Sequence, residues 1–580
     1  MNYLQKYNLW VDSDLIDSST KEELKRIEDL EEIEDRFYKD LEFGTGGLRG
    51  VIGAGTNRMN IYTVGKATEG LARYLLNKYS EENVSVTIAY DSRIMSKEFA
   101  ETAAKVLCAN GISVNLFESL RPTPMLSYAV RYLKSKAGIV ITASHNPKEY
   151  NGYKVYGEDG GQVTDNGAKE ILSFIKEIKD FSNIKTMELK NASELGYLNI
   201  IGEELDKSYI EKVKNLCIRQ EFIKHNAKDL KIIYTPLHGA GNIPIRRVLK
   251  ELGYENVTVV KQQELPDGNF PTTSYPNPEN PEVFEIALNM AKDIKPDIIF
   301  GTDPDCDRIG VVVKNKNGEY KVLTGNEVGV LLTEYILYSL KEKNLLPNNG
   351  VVIKTIVTTD ITKKITDNYA VELMEVLTGF KYIGEKIKEF EKKGNKKYIF
   401  GFEESYGYLA GDFVRDKDAV IASALICEMA LYYKSKGFSL YDALINLYNK
   451  YGFPSEKLFS IELKGKEGRQ KIENILDYLR HSMRSTLEGI KIVKKIDYKL
   501  GIEKDIFNIN EKSIEFPKSN ALKFILEDNS WFVIRPSGTE PKLKIYLSVI
   551  SDSEEGTKCK MDKFIKSVKE VIKSAYNSYQ

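Results

Sequence analysis

The feature that most limits how this chain can fold is an alternation of strand-like and helix-like segments in three separate blocks. In the first, VSVTIAY (84–90) is rich in β-formers, SKEFAETAAKVLCANG (96–111) is helical and closed by Gly111, and ISVNLFE (112–118) is again a strand. MLSYAVRYLKSK (125–136) and AGIVITAS (137–144) repeat the pair. A second block runs from KIIYTPLHGAG (231–241) through IPIRRVLKELG, VTVVKQ and PEVFEIALNMAKDI to the strand in PDIIFGTDPDCDR (296–308). A third holds GVVIKTIVTT, DITKKITDNY, VELMEVLTGF, KYIGEKIKEFEKKG and KKYIFGFEES (350–405). Strands joined by helices of this length predict parallel sheets with right-handed crossovers. The tail breaks the rhythm: ALKFILE, SWFVIRPSG and LKIYLSVI are closely connected strands before the helix KMDKFIKSVKEVIKSA, which predicts a smaller α+β domain.

With 580 residues the chain has room for roughly four domains of about 150 residues. The pattern places them at 1–205, 206–325, 326–455 and 456–580. Residues 20–40 (TKEELKRIEDLEEIEDRFYKD) predict one charged amphipathic helix, a solvated surface element, ahead of the glycine-rich FGTGGLRG (43–50). Lys and Arg total 83 against 84 Asp and Glu, so no global field attracts nucleic acid or anionic lipid. An anionic ligand must be held by a local concentration of donors. The five cysteines form no CxxC pair, which argues against zinc and a disulfide framework and suits a reducing cytosol. The N-terminus has no signal-peptide core and no apolar run reaches 18 residues, so the expectation is a cytoplasmic protein with no membrane partner.

In parallel α/β sheets, ligands gather beyond the carboxyl ends of strands. Four loops follow strands here and carry reactive groups. Ser144 and His145 end the strand AGIVIT; Ser144 can carry a covalent group or lose its proton to the imidazole, and the alternative is a polar turn. The GxSxG elbow of α/β-hydrolases is missing. In GTDPDCDRIG (301–310), Asp303, Asp305 and Asp307 alternate, and three carboxylates this close repel one another unless a cation joins them. Hard oxygen ligands select Mg²⁺, Mn²⁺ or Ca²⁺. An EF-hand is excluded, because Arg308 replaces the required glycine. In GFEESYGY (401–408), Glu403 and Ser405 suit sugar hydroxyls, with Arg415 and Lys417 following as site cations or plain surface charges. In RPSGTEPKLKIY (535–546), Arg535, Ser537, Thr539 and Lys544 surround Gly538 and can converge on a phosphate, or form an ordinary turn between strands; the Walker spacing is absent.

Taken together and in this order, TASHNP, GTDPDCDR, GFEES and RPSGTEP resemble the phosphoserine, metal, sugar and phosphate loops of the α-D-phosphohexomutase family, the phosphoglucomutases and phosphomannomutases. FGTGGLRG resembles that family's N-terminal loop, and the likeness runs from about residue 42 to the C-terminal region. The resemblance implies an α/β fold of four domains around a central cleft, three with mixed or parallel sheet cores and a smaller C-terminal α+β domain. It also implies that Ser144 is phosphorylated, that Asp303, Asp305 and Asp307 hold Mg²⁺ together with a phosphate oxygen on Ser144, and that Arg308 reaches the phosphoryl group. Arg49 belongs near the serine, with His145 and Lys417 as proton carriers. By the same resemblance Thr378, Gly379, Glu403 and Ser405 would grip the sugar, while Arg535, Ser537, Gly538, Thr539 and Lys544 would hold the phosphate that is not transferred.

The implied reaction interconverts glucose 1-phosphate and glucose 6-phosphate, with mannose phosphates as further substrates and glucose 1,6-bisphosphate as bound intermediate and activator. The implied protein works on small sugar phosphates as a monomer or homodimer. KEYNGYKVY after the serine loop resembles a long subgroup that includes phosphopentomutase-active members, so pentose phosphates are an alternative, as is a metal-dependent sugar phosphatase. Lys544 stands where many relatives have arginine, which removes a bidentate fork.

Overall fold

A computed structural model describes residues 1–44, 46–463, 465–506, 510–537 and 542–578. The chain divides into two compact units, one of residues 1–352 and 380–441, the other of residues 353–379 and from 442 to the C-terminus.

In the first unit, four strands of the first block lie parallel in the order Ala137–Ile141, Ser85–Tyr90, Ser113–Phe117, Leu198–Ile201. The sheet is of the mixed kind that the resemblance allows beside the parallel one: Tyr150–Gly157 pairs antiparallel with Ala137–Ile141, and Gly47–Val51 antiparallel with Tyr150–Gly157. The reason is the connection: residues 142–149 contain no helix, and a crossover between parallel strands needs a dozen or more residues. The serine loop therefore sits where the chain turns straight back. The second sheet behaves alike. Ile232–Thr235 is parallel to Val257–Val259 and Ile298–Thr302; Ile309–Lys314 then returns antiparallel to Ile298–Thr302 after the short aspartate loop, and Tyr320–Leu323 pairs antiparallel with Ile309–Lys314.

Helices Ile61–Lys78 and Ser96–Ala109 cover the first sheet, burying Leu71, Phe99, Ala103 and Leu107 against Ile88, Val114 and Ile139. Residues 20–40 form two helices, Ser18–Lys25 and Leu30–Phe37, not one. Asp29 starts the second by accepting from Glu31 N at 2.9 Å, so its side chain ends any continuous helix there. Nor is the segment merely solvated: Leu24, Ile33 and Phe37 close a small core with Trp10 and Ala54.

Within the first unit the hairpin Lys397–Glu403 and Gly407–Ala410 carries the GFEES turn. The helix Ala419–Ser435 is buried nearly all round over Ala419–Leu431, as its mostly apolar sequence, broken by Ser423 and Glu428, requires. In the second unit, Phe453–Glu462, Lys542–Ser551, Trp531–Pro536, Leu522–Leu526 and Ile490–Asp497 pair antiparallel in that order. Leu476, Leu479, Phe564 and Val568 from two helices pack on Phe524, Phe532 and Leu543, giving the expected sheet-rich α+β domain. Among the described residues no helix is long and apolar enough to cross a membrane, and all five cysteines are unpaired.

Candidate active site

The strand Ala137–Ile141 is buried along its length and delivers Ser144 at its carboxyl end. Ser144 is itself buried and has a left-handed backbone, φ +53°. A non-glycine residue holds that conformation only when its surroundings impose it. Thr142 Oγ1 accepts from Ser144 N at 2.7 Å and donates to Asp91 Oδ2 at 2.6 Å. Arg93 supplies the rest. Its guanidinium donates to the carbonyls of Ser144 (2.6 Å), Pro147 (2.8 Å), Tyr150 (3.0 Å) and Asn146. Asp91 steadies Arg93 in turn, accepting from its backbone N at 2.9 Å and from Ser96 Oγ at 2.6 Å.

Ser144 Oγ meets Asp303 Oδ2 at 2.8 Å, a contact between residues 159 apart in sequence. His145 Nδ1 lies 3.2 Å from the same oxygen. A hydroxyl has one proton, so when Oγ donates to Asp303 the imidazole must donate to Oγ through Nδ1–H. Burial, reinforced by Arg308 and Arg49, holds His145 well below its ordinary value, so the ring is neutral at pH 7.

Asp303, Asp305 and Asp307 are buried, and each brings one carboxylate oxygen within 4.8 Å of the others. Asp303 Oδ1 accepts from the backbone N of Asp307 (3.1 Å) and Arg308 (3.0 Å), which curls the loop. Asp305 Oδ2 accepts from Thr123 Oγ1 at 2.9 Å and Lys154 Nζ at 3.0 Å; Lys417 Nζ lies 3.1 Å from Asp307 Oδ2. Oδ1 of Asp305 and of Asp307 are buried without a partner. Burial, together with Asp305 and Asp307, pushes the Asp303 carboxyl well above the usual range, which is what a carboxylate cluster shows before a cation neutralises it. Three hard donors with two orphaned oxygens fit a small divalent cation. Cys306 faces away from this cluster, buried beside Gly241 and Thr302.

Glu403 ends the strand Lys397–Glu403, and burial, opposed by Lys417, raises its carboxyl to about 7. Ser405 is half-buried in the following turn. Gly407 is required there, since a Cβ would come within 2.1 Å of the Lys417 side chain. Burial would lower the Lys417 ammonium, but Asp307 and Asp416 outweigh it and keep it protonated. Tyr156 OH donates to Asp416 Oδ2 at 2.7 Å, and Asp416 Oδ1 accepts from Lys417 N at 2.8 Å, so Lys417 is aimed by its neighbour. Arg49 completes the group: Nη1 reaches Asn146 Oδ1 at 3.3 Å, and its guanidinium feels Asp305 and Asp307. Arg415 stands apart, buried with Nη2 2.7 Å from Glu391 and its backbone N on Ser127 Oγ, a structural ion pair.

Four further groups at this site were not foreseen from the sequence: Asp91, Arg93, Thr123 and Lys154. YDSR (90–93) follows a β-rich strand and Lys154 lies within KEYNGYKVY, so the carboxyl-end rule could have found the first two but not the others.

Thr378, Gly379 and the RPSG loop belong to the second unit. Gly379 has φ +116°, a region closed to most side chains. The preceding strand Glu372–Val376 is anchored by Glu375, which accepts from the buried Lys354 Nζ at 2.7 Å. Arg535 and Lys544 are direct cross-strand partners, so both project from one face of the sheet. Arg535 Nη2 donates to Tyr546 OH at 2.9 Å, and Ser537 N to Lys542 O at 2.7 Å. Gly538 and Thr539 lie outside the described residues.

Models of the phosphoglucomutase/phosphomannomutase family match in sequence order: α/β/α domain I at residues 40–181, domain II at 207–318, domain III at 324–451 and the C-terminal domain at 487–564. The chain belongs to the phosphoglucomutase/phosphomannomutase family. Curated members of the family similar to it include a phosphoglucomutase of Staphylococcus haemolyticus, 39% identical over 526 residues that cover 90% of this chain and 92% of that protein. A phosphoglucomutase of Staphylococcus aureus is 36% identical over 536 residues, 92% of this chain and 94% of that protein. Among solved structures, parafusin from Paramecium, described as a phosphoglucomutase in an open form, superposes with a TM-score of 0.69 at 17% identity, covering 92% of this chain and 95% of that one. A phosphoglucomutase/phosphomannomutase family protein from Burkholderia thailandensis gives 0.64 at 20%, covering 92% and 97%. These two support the fold alone. As a family member the chain is an isomerase of the mutase type, with a buried acidic cluster that could hold a metal ion.

Proposed function

We propose that this mutase interconverts glucose 1-phosphate and glucose 6-phosphate in the cytosol through a phosphorylated Ser144 and a bound glucose 1,6-bisphosphate. The observation that carries the reading is Ser144 Oγ at 2.8 Å from Asp303, inside a triad of buried carboxylates. In the forward half-reaction the free sugar hydroxyl attacks phosphorus; the new O–P bond forms as the Oγ–P bond breaks. The sugar, now a bisphosphate, turns over, and Ser144 Oγ recovers a phosphoryl group from the opposite end. Neutral His145, 3.2 Å from Oγ, relays the sugar hydroxyl's proton, accepting at Nε2 as its Nδ1 proton passes to Oγ when phosphorus leaves. Protonated Lys417 and Arg308 offset charge on the equatorial oxygens, where phosphoryl transfer needs it. Mg²⁺ held by Asp303, Asp305 and Asp307 would supply further charge neutralisation when bound. Glu403 and Ser405, with Thr378 and Gly379, take the sugar hydroxyls; Arg535, Ser537, Gly538, Thr539 and Lys544 take the resting phosphate.

The test is a comparison of turnover on glucose 1-phosphate, mannose 1-phosphate and ribose 1-phosphate with release of inorganic phosphate monitored. Glucose 1-phosphate is expected first and ribose 1-phosphate last. Faster turnover of the pentose would replace the hexose reading, and stoichiometric phosphate release would replace the mutase by a phosphatase.

Arg93 tests the shape of the serine loop separately. Arg93→Met removes the guanidinium's hydrogen bonds to the four loop carbonyls. The backbone at Ser144 then relaxes, and turnover is expected to drop about 100-fold with KM within about threefold, because misplacing a nucleophile by about 1 Å costs that much. Steady-state kinetics decide it; an unchanged kcat would show that the loop holds its shape without Arg93.

A further inference from the structure

Arg308 follows the metal-facing aspartates directly and stands at a crowded point. Glu279, Asp307, Asp303 and Glu403 all attract it, while it disfavours the charged forms of Arg49 and His145. Nη1 donates to Glu279 Oε1 at 2.7 Å. Nε stops 3.8 Å from Asp307 Oδ1 and, though buried, meets no acceptor. Asp307 Oδ1 is buried and unpartnered as well. An arginine able to close on its neighbour's carboxylate is thus held short of it.

The segment carrying Glu279 is firmly seated. Pro276, Asn277 and Pro278 are buried, and Asn277 Oδ1 accepts from Glu279 N at 3.1 Å. Asn277 O accepts from Asn280 N at 2.9 Å. The Pro278 carbonyl lies against Gly310, where a Cβ would come within 2.5 Å of it, so the segment rests on the strand that begins just after Arg308. The same segment sets Tyr275 edge-on to the His145 ring, centroids 5.9 Å apart, and Phe270 5.1 Å from the Arg93 guanidinium.

We propose that Glu279 is a positioning residue that holds the Arg308 guanidinium off the Asp307 carboxylate and so keeps that carboxylate open to the divalent cation. This rests on the metal-site reading above. Guanidinium and metal ion compete because both bind through carboxylate lone pairs. Remove Glu279, and Asp307 becomes the nearest strong acceptor for a buried charge that already sits beside it. Arg308 then covers Oδ1. The residue acts through Arg308 and is not itself a ligand.

The experiment uses full-length protein stripped of metal, without sugar phosphate, and Mn²⁺ as probe, with free Mn²⁺ counted by electron paramagnetic resonance. Glu279→Ala is expected to weaken Mn²⁺ binding at least about tenfold, the range seen when a partner behind a metal ligand is lost. Glu279→Ala combined with Arg308→Ala is expected to return to within about threefold of Arg308→Ala alone, since the competing cation is gone. Should the alanine variant not fold, Glu279→Gln keeps the size, loses the charge, and is also expected to weaken binding. An unchanged Kd in the folded Glu279 variant, or a double variant as weak as the single one, overturns the proposal. Wild-type protein that binds no Mn²⁺ would remove the metal site itself, and with it this inference.

Discussion

Ser144→Ala is expected to abolish phosphoryl uptake from glucose 1,6-bisphosphate and to lower mutase turnover by about four orders of magnitude or more, the scale seen when a covalent nucleophile is removed. The neighbouring hydroxyls of Thr142 and Thr123 cannot stand in. Thr142 Oγ1 is committed to Asp91 and to the backbone N of Ser144, and Thr123 Oγ1 to Asp305. The substitution also removes only one oxygen from a loop whose shape is set by Arg93 and Thr142, so the fold should survive. Intact mass decides the matter: wild-type protein gains one phosphoryl group and the variant none. A Ser144→Ala protein that still turns over at the wild-type rate would end the covalent role.

Removing the cation is expected to be as damaging. Dialysis against EDTA should stop turnover and Mg²⁺ should restore it, because the charge of three buried carboxylates is otherwise offset only in part by Lys154 and Lys417. Asp305→Asn separates charge from shape. An amide oxygen at that position can still accept from Lys154 and Thr123, which now bond Asp305 Oδ2 at 3.0 and 2.9 Å. The variant should therefore fold while losing about 10- to 100-fold in metal affinity and about 10³-fold in turnover. Titration of metal-stripped protein by calorimetry measures the first and steady-state kinetics the second. Full wild-type activity in EDTA would sink the triple-aspartate assignment.

What could be read without coordinates was whatever is written locally along the chain. Buried strands such as AGIVI and PDIIF, helices such as SKEFAETAAKVLCA, and the rule that reactive loops follow strands placed Ser144, the aspartates and Glu403 at strand ends. The antiparallel additions to both sheets were legible only in part, since a strand's own residues carry its β preference but not the direction of its neighbour. The break in the N-terminal helix was hidden because one polar residue, Asp29, acts as a cap only once the chain leaves the helical path.

Pairings across distant segments lay beyond the sequence altogether. YDSR follows a strand, but only in three dimensions does Arg93 gather four carbonyls from residues 144–150. Lys154 reads as one more polar position in a strand until Asp305 appears beside it, 151 residues later. Residue types and spacing determined that this chain has a hydroxyl, three acids and a cluster of phosphate-compatible donors at the ends of strands. Tertiary structure decided which charge neutralises which, because burial makes each group depend on a partner that chain order does not name.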